Sequence, residues 1–559
     1  MGTIRLGQAA AWCGGRIDSK YEDVTFLGAC NDSRNIQPGQ LFIALSGERD
    51  GHDFIPMALE KGAAAVLCTH CDGDYPAIVV EDTRIALGDI AREERKRIGM
   101  KVVGVTGSVG KSTTKEMVAT VLESTYRTAK TPANHNNDTR KLEAGQLFVA
   151  LQGVRDGHDF IPAALEKGAA AVLCTRCEGD YPAIVVPDTR IALGDIARGE
   201  RDRIGMKVVG ITGSVGKSTT KEMVASVLQT TYRVGKTPVN HNNDIGMPMA
   251  ILAMPEDTEV AVLEMGMNHF REIAYLASIG KPDVGVIINI GTMHIEHLGS
   301  MEGILKAKLE IVEGMDPKGK IFLNGDDALL WNQRLVKDKE ISFFGVRNGD
   351  CDILGKDITE GTGMLRFWAC CQDKAFPVEL ALEGRHYVHD ALAAIAVGLH
   401  LGVSSDKIRK SMAEFQNMAG RQEIYQKNGF TIIQDCYNAG PESMAAALEV
   451  LGKQPGRRIA VLGDMLELGV CTQAEHYKVG RIAAEKADIL LTYGENSVRI
   501  LNGALTGGMS QKDARSFTDR QRLIDVLKQR AKPGDVILFK GSRGMRMELL
   551  LEMFLGEDK

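Results

Sequence analysis

One segment restricts the possible folds of this chain more than any other. In it, an apolar run is followed by a glycine-rich turn and then by a helix-forming stretch: Val208-Val-Gly-Ile-Thr-Gly-Ser-Val-Gly-Lys-Ser-Thr-Thr-Lys-Glu-Met223. The glycines leave room for backbone N–H groups to face a polyphosphate, and the helix start adds its positive dipole end. Lys217 can reach the outer phosphates, and Ser218 is placed to bind Mg²⁺. We predict a phosphate-binding loop between a buried strand and a helix, with candidate nucleotide contacts at Gly213, Ser214, Val215, Gly216, Lys217, Ser218 and Thr219. The alternative is a glycine-rich turn with an incidental lysine.

Composition narrows the classes of partner. The chain has 559 residues, 67 Lys and Arg against 73 Asp and Glu, and a formal net charge of −6. It therefore has no basic excess that would suggest nucleic acid as the main partner, and we expect small-molecule substrates. No apolar run is long enough to span a bilayer, so we predict a cytoplasmic protein without membrane insertion.

The cysteines give no strong metal signal. There are 11 of them, and two close pairs, Cys68-Thr-His-Cys71 and Cys174-Thr-Arg-Cys177, have the spacing of zinc or redox sites. These pairs are two copies of one segment. We favour reduced thiols at the end of a buried strand over a zinc or redox role.

The phosphate-binding segment occurs twice, because Lys111 and Lys217 lie 106 positions apart within a long repeat. Residues 33–138 match residues 139–244 without a gap at roughly four positions in five. The period is too long for a solenoid unit and the copy number too low for an array. The repeat is consistent with a tandem duplication of about 106 residues, or with a cloning or assembly accident that joined two related sequences.

The pattern of strands and helices divides the chain into five segments. These are a small N-terminal domain at 1–99, a truncated duplicate of the phosphate-binding segment at 100–138, a second copy of the small domain lacking its first strands at 139–205, a nucleotide-binding domain with a parallel sheet at 206–420, and a Rossmann-like domain at 421–559. The segment 1–32 can serve only one of the two small bodies. We expect it to pair with the adjacent one, 33–100.

Further motifs follow the second loop in the order found in Mur ligases. They are Glu264-Met-Gly, Asn289-Ile-Gly-Thr-Met-His294, Leu298-Gly-Ser300, Lys306-Ala-Lys-Leu-Glu310 and Asn324-Gly-Asp-Asp327. The loop itself, a short Thr-Gly-x-x-Gly-Lys-Ser form, also resembles that of Mur ligases and folylpolyglutamate synthetases. The resemblance covers nearly the whole chain and implies an α/β protein of three domains: a small UDP-binding domain, a central P-loop ATPase domain and a C-terminal Rossmann-like domain.

The resemblance implies roles in ATP and metal binding. Ser218 and Glu264 would hold Mg²⁺, His294 would help to hold a second Mg²⁺, and Lys308 would be the lysine that becomes carbamylated, which turns a cation into an anion suited to a metal. Candidate catalytic residues are therefore Lys217, Glu264, His294 and Lys308, and further nucleotide contacts are Asn324, Asp327, Arg421, Tyr437 and Asn438. The alternatives are a surface lysine on an amphipathic helix for Lys308 and a core or capping histidine for His294.

Motifs at both ends of the chain narrow the resemblance within the family. Asp435-Cys-Tyr-Asn-Ala-Gly-Pro-Glu-Ser-Met444, Leu462-Gly-Asp-Met-Leu-Glu-Leu-Gly469 and Lys540-Gly-Ser-Arg543 resemble Mur ligases that add D-alanyl-D-alanine to UDP-N-acetylmuramoyl-tripeptide. The N-terminal Asp-Ser-Arg and Asp-Gly-His-Asp patterns are similar to their UDP-binding domain. The implied substrate contacts are Ser33, Arg34, Asp50, Thr139, Arg140, Asp156, Asn242, Asn243, Lys540, Ser542 and Arg543. Two departures from the family pattern occur: Gly440 stands where the family usually has asparagine, and Tyr387 and Asp390 lie in a Gly-x-His segment that often carries asparagine.

The implied reaction is formation of an amide bond driven by ATP, through an acyl phosphate on the tripeptide carboxylate. The protein would be a monomer that works on ATP, UDP-N-acetylmuramoyl-tripeptide and D-alanyl-D-alanine. Two alternatives stay open at this point. One is another carboxylate-amine ligase, such as a folylpolyglutamate synthetase, and the other is an inactive nucleotide-binding scaffold whose active site was spoiled by the duplication.

Overall fold

The computed structural model describes residues 3–34, 36–45, 50–98, 135–136, 138–140, 142–153, 155–335, 340–361, 363–371, 374–418 and 420–556. The first phosphate-binding loop, around Lys111, therefore lies outside the described residues. The chain forms two compact units, Met1–Val105 and Thr106–Lys559. In the described part of the chain, no helix is both long and apolar enough to cross a membrane.

The first unit is a small α/β body. Its strands are β1 Ile4–Arg5, β2 Thr25–Phe26, β3 Ala29–Cys30, β4 Leu41–Ile43, β5 Ala65–Cys68 and β6 Ala77–Val79, and its helices are Leu6–Cys13, Ile55–Glu60 and Thr83–Ile98. Strands β3 to β6 form a parallel sheet in that order, with apolar residues buried on both faces. Because β3 pairs with β4, the segment 1–32 serves the adjacent body, as predicted.

The second unit begins with a body that repeats this arrangement. Its strands are β7 His135–Asn136, β8 Leu147–Val149, β9 Ala171–Cys174 and β10 Ala183–Val185, and its helices are Ile161–Glu166 and Thr189–Ile204. The four strands are parallel and follow the order of the first sheet, each 106 positions after its counterpart. The strand β7 corrects one prediction. This copy does not lack all of its first strands, because residues 135–136 cover the edge of β8.

A nine-stranded sheet forms the centre of the second unit. Its strands are β11 Lys207–Thr212, β12 Val234–Lys236, β13 Val260–Glu264, β14 Val284–Ile287, β15 Lys320–Asn324, β16 Glu340–Gly345, β17 Ile353–Gly361, β18 Met364–Cys371 and β19 Lys374–Leu380. The order is β12-β13-β11-β14-β15-β16-β17-β18-β19, parallel up to β17 and antiparallel beyond it.

Helices cover both faces of this central sheet, which separates two apolar cores. They are Lys217–Gln229, Gly246–Leu252, Glu272–Gly280, Ile295–Leu298, Met301–Leu309, Ile311–Gly314, Ala328–Trp331, Tyr387–His400 and Ser405–Glu414. Strand β11 lies between β13 and β14, so the chain crosses to opposite sides of it. At such a point the loops that follow the two neighbouring strands run in opposite directions, and a crevice for ligands opens between them at the carboxyl ends of the strands.

The C-terminal part carries a second sheet with helices on both faces. Its strands are β20 Glu423–Lys427, β21 Phe430–Asp435, β22 Arg458–Gly463, β23 Ile489–Tyr493, β24 Ala514–Phe517 and β25 Val536–Lys540, in the order β20-β21-β25-β22-β23-β24. Its helices are Pro441–Lys453, Thr472–Lys486, Ser497–Thr506, Arg520–Arg530 and Met547–Leu555. Only β20 runs antiparallel to its neighbour, so the layout is Rossmann-like, as predicted.

Candidate active site

A glycine-rich loop joins β11 to the helix Lys217–Gln229 and forms the base of the site. Gly216 has a φ of +89°, and a Cβ atom there would lie 2.6 Å from Asp390 Oδ1. Only glycine fits this backbone without strain. The first N–H groups of the helix have no carbonyl acceptor within the helix. They lie at its N-terminus, where the positive end of the helix dipole is also located. The predicted phosphate-binding loop is therefore formed by the second copy of the repeat.

Asn289, just beyond β14, holds this loop in place. Its Oδ1 accepts hydrogen bonds from the N–H groups of Ser214 at 3.0 Å and Val215 at 2.9 Å, and its Nδ2 donates to Val215 O at 2.9 Å. The amides of these two loop residues thus already have an acceptor. A phosphate would be met by the N–H groups that follow, at the start of the helix.

Lys217 lies inside the loop. Its Nζ donates to Gly213 O at 2.7 Å. Burial lowers the pKa of Lys217, the carboxylate of Glu264 opposes this shift, and the charge of Arg421 adds to it. A buried ammonium group held only by carbonyl oxygens is suited to pair with an incoming anion, which would replace the solvation that burial removes.

The predicted metal ligands Ser218 and Glu264 meet, because β11 and β13 are adjacent and parallel, Glu264 ends β13 and Ser218 lies just beyond β11. Ser218 Oγ donates to Glu264 Oε2 at 2.7 Å, and Asn242 Nδ2 donates to Glu264 Oε1 at 2.9 Å. Glu264 is only 3% exposed. A hydroxyl and a carboxylate are oxygen donors of the kind that Mg²⁺ prefers, so this pair fits the ion. Within the described ranges there is no cluster of three or more His, Cys, Asp or Glu residues that could hold a metal by themselves.

Lys308 and His294 lie near Lys217; Lys308 is buried and His294 is half-buried. Burial and the charge of Lys217 lower the pKa of Lys308 well below its ordinary value. Burial, followed by the charge of Lys217, also lowers the pKa of His294. His294 Nδ1 is 2.6 Å from Glu467 Oε2, yet the contact lacks hydrogen-bond geometry and leaves this nitrogen without a hydrogen-bond partner. Burial and the charge of Lys217 thus favour the uncharged form of both side chains.

The junction with the C-terminal part brings Arg421 to the loop. Its Nη2 donates to Ser218 Oγ at 2.9 Å, and its guanidinium group lies 3.9 Å from the centre of the Tyr437 ring. Lys540, which is 2% exposed, donates to Asp435 Oδ2 at 2.6 Å and to Asn438 O at 3.0 Å. The predicted residues of the central and C-terminal sheets thus converge.

Most of these groups line one cavity of about 800 Å³, although Lys308, Asn289 and the predicted Gly213 are not among its lining residues. Its predicted wall residues, all in the second unit, are Ser214, Val215, Gly216, Lys217, Ser218, Thr219, Asn242, Asn243, Glu264, His294, Arg421, Tyr437, Asn438 and Lys540. Residues that were not predicted also line it, including Asp188 and Arg190 from the second small body and Asp390 from the helix Tyr387–His400.

Other predicted residues lie elsewhere. Asn324 and Asp327, expected near adenosine, are not among the residues that line this cavity. Asp327 instead caps the helix Ala328–Trp331 and accepts a hydrogen bond from Ile290 N at 2.8 Å. Ser542 Oγ donates to Ala439 O at 3.1 Å, and Arg543 Nη1 donates to Glu548 at 3.2 Å. Asp327, Ser542 and Arg543 thus make local contacts, and the ligand roles of all four residues stay predictions.

The candidate substrate residues of the two small bodies make matching local contacts. Asp50 Oδ1 lies 2.6 Å from His52 Nδ1, and Asp156 Oδ1 lies 2.6 Å from His158 Nδ1. Arg34 pairs with Asp32 as Arg140 pairs with Asp138. Among the remaining two candidates, Ser33 Oγ contacts Met57 Sδ at 3.5 Å, and Thr139 lies in the turn after Asp138. The contacts within each body therefore do not show which copy binds a ligand.

The sequence motif that contains Asn289 did not indicate that this residue holds the loop through hydrogen bonds with Ser214 and Val215. Asp390 stood out in the sequence only as a departure from a pattern. Burial raises the pKa of Asp390 to about 7, while Thr220 and Arg421 oppose the shift. The sequence could not single out Arg190 as a residue of the cavity, because Arg84 occupies the equivalent position of the first copy with the same neighbours.

Comparison with known proteins places these features in a family. The Mur ligase family catalytic domain matches residues 23–103, the Mur ligase middle domain matches 105–171 and 211–398, and the Mur ligase glutamate ligase domain matches 420–543. The UDP-N-acetylmuramoyl-tripeptide–D-alanyl-D-alanine ligase of Bacillus subtilis is 41% identical over 425 residues, which are 74% of this chain and 91% of that protein. The Escherichia coli protein of that name is 37% identical over 419 residues, again 74% of this chain and 91% of that protein.

Solved structures agree. MurF from Acinetobacter baumannii superposes with a TM-score of 0.72 at 31% identity, covering 79% of this chain and 98% of that one. MurF ligase from Thermotoga maritima, solved in complex with ADP, gives a TM-score of 0.69 at 31% identity, covering 76% of this chain and 97% of that one. On both sequence and structure, this chain belongs to the Mur ligase family.

Proposed function

We propose that this protein is an ATP-dependent ligase that joins D-alanyl-D-alanine to UDP-N-acetylmuramoyl-tripeptide, a step of peptidoglycan precursor synthesis. The names of the relatives above support this activity. The observation that carries it in this chain is the placement of Lys217, Ser218 and Glu264 at the carboxyl ends of two adjacent strands, in one cavity with Arg421 and Lys540.

The reaction must first bring two anions together, because the tripeptide carboxylate attacks the γ-phosphorus of ATP. The carboxylate oxygen forms a bond to phosphorus as the bond to ADP breaks, and the product is an acyl phosphate. The amine of D-alanyl-D-alanine then attacks the acyl carbon, loses a proton and displaces phosphate. Lys217 and the helix start would bind the transferred phosphoryl group and stabilise its charge.

Ser218 and Glu264 are the residues that would hold Mg²⁺, which would neutralise phosphate charge when bound. Glu264 is fixed for this task by Asn242 on one oxygen and by its own N–H, which donates to Thr237 Oγ1 at 3.0 Å. His294 is the candidate for a second Mg²⁺, since it lines the same cavity as Ser218 and Glu264.

Lys308 is proposed to be carbamylated. A lysine must be neutral to add to carbon dioxide, and burial beside Lys217 favours the neutral amine. The carbamate would be an anion next to that cation, so the product would be stabilised by the same charge that promotes its formation.

The repeat of residues 33–138 at 139–244 is proposed to be a tandem duplication. Two sheets with the same strand order support this proposal. The relatives are matched over 91% of their length by 74% of this chain, which leaves room for an additional segment. We further propose that the protein is a cytoplasmic monomer.

An ADP-release assay tests the function. The purified protein is given ATP, UDP-N-acetylmuramoyl-tripeptide and Mg²⁺, with or without D-alanyl-D-alanine. We expect sustained ADP release only with the dipeptide and a product heavier by one dipeptide residue in mass spectrometry. Release that is independent of the amine, or no release at all, would refute the proposal.

A further inference from the structure

The two small bodies raise the question of which one serves the ligase cavity, and their sequences do not decide it. The difference lies in the aspartates that end the two repeats. Asp138 pairs with Arg140, two residues further on, with its two oxygens 3.0 and 2.9 Å from that guanidinium group. The corresponding position after Asp244 is Gly246, so Asp244 has no such neighbour.

Asp244 pairs instead with the second small body. Arg190 Nη1 lies 2.9 Å from Asp244 Oδ2, and Arg190 Nη2 donates to Gln152 O at 3.2 Å. The pair is about 40% exposed, with side-chain values of 43% and 38%. Asp244 follows Asn242, which contacts Glu264, so Arg190 reaches the segment that positions the candidate metal ligand.

Further contacts hold this body against the central sheet. Tyr275 OH donates to Arg190 O at 3.2 Å, and Arg198 Nε donates to Ser278 O at 3.2 Å. Arg201, which is 5% exposed, donates to Ile279 O. A Cβ atom at Gly194 would lie 2.3 Å from Tyr275 Oη, so the helix Thr189–Ile204 approaches closely at this glycine.

Apolar packing makes the contact continuous. Leu193 is 1% exposed and belongs to a cluster with Val149 and Leu173 of the small sheet, against which Ile245 and Met249 of the central domain pack. The body is thus joined to the central domain by a shared core as well as by polar contacts. Its residues Asp188, Arg190 and Ile191 form one wall of the cavity that contains Lys217 and Glu264.

We propose that residues 139–205, and not their counterpart 33–99, are the body that binds the UDP-linked substrate for ligation, with Arg190 as the residue that positions this body. The inference rests on the proposed function for the identity of the substrate. It assigns the role to the copy without the N-terminal segment 1–32, because that copy forms the wall of the cavity.

Copy-resolved hydrogen–deuterium exchange of the full chain tests the assignment. UDP and UDP-N-acetylmuramoyl-tripeptide are added separately, and peptides of the two copies are distinguished by mass at differences such as Met57 against Ala163 and His70 against Arg176. We expect slower exchange in 139–205 and no change in 33–99. Protection of 33–99, of both copies or of neither would overturn the assignment.

Matched variants test the positioning role. Arg190→Glu places a carboxylate opposite Asp244, and Arg84→Glu makes the same change at the equivalent position of the first copy. We expect Arg190→Glu to raise the KM for the UDP-linked substrate by about tenfold and to change the KM for ATP by less than about twofold. Arg84→Glu should leave both within about twofold. Equal effects of the two variants, or an effect of Arg84→Glu alone, would refute the role.

A charge exchange separates positioning from general damage to the fold. The double variant Arg190→Asp/Asp244→Arg restores an opposite pair at the same place, and we expect it to recover most of the lost affinity for the UDP-linked substrate. Failure of this rescue in a protein that melts like the wild type would contradict the positioning role. The exchange experiment needs no turnover, so a wild type that shows UDP protection of 139–205 but no amine-dependent ADP release would refute the proposed function alone.

Discussion

Replacing Asp390 with asparagine should remove a pH dependence from the stability of the central domain. Asp390 lies on the helix Tyr387–His400 behind the phosphate-binding loop and is 4% exposed. Its Oδ1 accepts a hydrogen bond from Thr220 Oγ1 at 2.9 Å. Burial raises the pKa of Asp390 from 3.8 to about 7, although Thr220 and Arg421 oppose the shift. The carboxyl group is therefore protonated in the folded protein at pH values where it is ionised in the unfolded chain.

The sign of the effect follows from proton binding. Between about pH 4 and pH 7 the unfolded chain loses this proton and the folded protein keeps it, so the free energy of unfolding falls as the pH rises. Each pKa unit corresponds to about 1.4 kcal/mol, and the whole shift to about 4 kcal/mol. About 2.5 kcal/mol of this should be lost between pH 5 and pH 8. Asparagine has no proton to lose and keeps the acceptor for Thr220.

Urea unfolding at several pH values measures this change in the free energy of unfolding. Unfolding is monitored with a probe of the central domain, such as the fluorescence of Trp331. The wild type should lose about 2.5 kcal/mol more than Asp390→Asn between pH 5 and pH 8. Asp406→Asn is a matched control, because Asp406 has a side-chain exposure of 90% and should follow the wild type. Parallel curves for the wild type and Asp390→Asn would show that Asp390 is not protonated in the folded state.

Three further predictions concern catalysis. Glu264→Gln should lower kcat by at least about 100-fold and weaken the Mg²⁺ dependence, since the amide cannot neutralise the ion; an unchanged Mg²⁺ titration would contradict the ligand role. Lys308→Ala should lose most activity and regain part of it with acetate or formate, whereas full activity without them would exclude the carbamate. Lys217→Ala should abolish ADP release while Lys111→Ala retains it, and the reverse result would assign catalysis to the first loop.

Much of the site follows from the sequence, because parallel strands bring their carboxyl ends to one edge of a sheet. Glu264 ends β13 and Ser218 follows the neighbouring β11, so strand order agrees with the meeting that the resemblance to Mur ligases implied. The loop conformation followed from Gly216, where only glycine is accommodated. These predictions depend on local pattern and on a general property of the fold.

Other features depend on contacts between segments far apart in the chain. Asp327 follows a central strand as a ligand-binding residue would, and only the structure shows that it also caps a helix and accepts a hydrogen bond from Ile290 N. The shifted pKa of Asp390 results from burial by a helix that packs behind the loop, and sequence gives no measure of that burial. Arg190 and Arg84 have the same neighbours in sequence, so only the tertiary structure distinguishes them.

The asymmetry of the two phosphate-binding segments has a simple physical origin. The repeated block ends at Asp244, before Asn289 and Glu264, so each of these residues exists once in the chain. In the second loop Asn289 uses both ends of its amide to hold Ser214 and Val215, and Glu264 lies beside Ser218. In sequence, the first loop is followed by the second copy of the small body, and the chain holds no second counterpart of Asn289 or Glu264. We therefore expect catalysis to stay with the second loop, because a glycine-rich loop needs the neighbouring strands that fix its shape and supply its metal ligand.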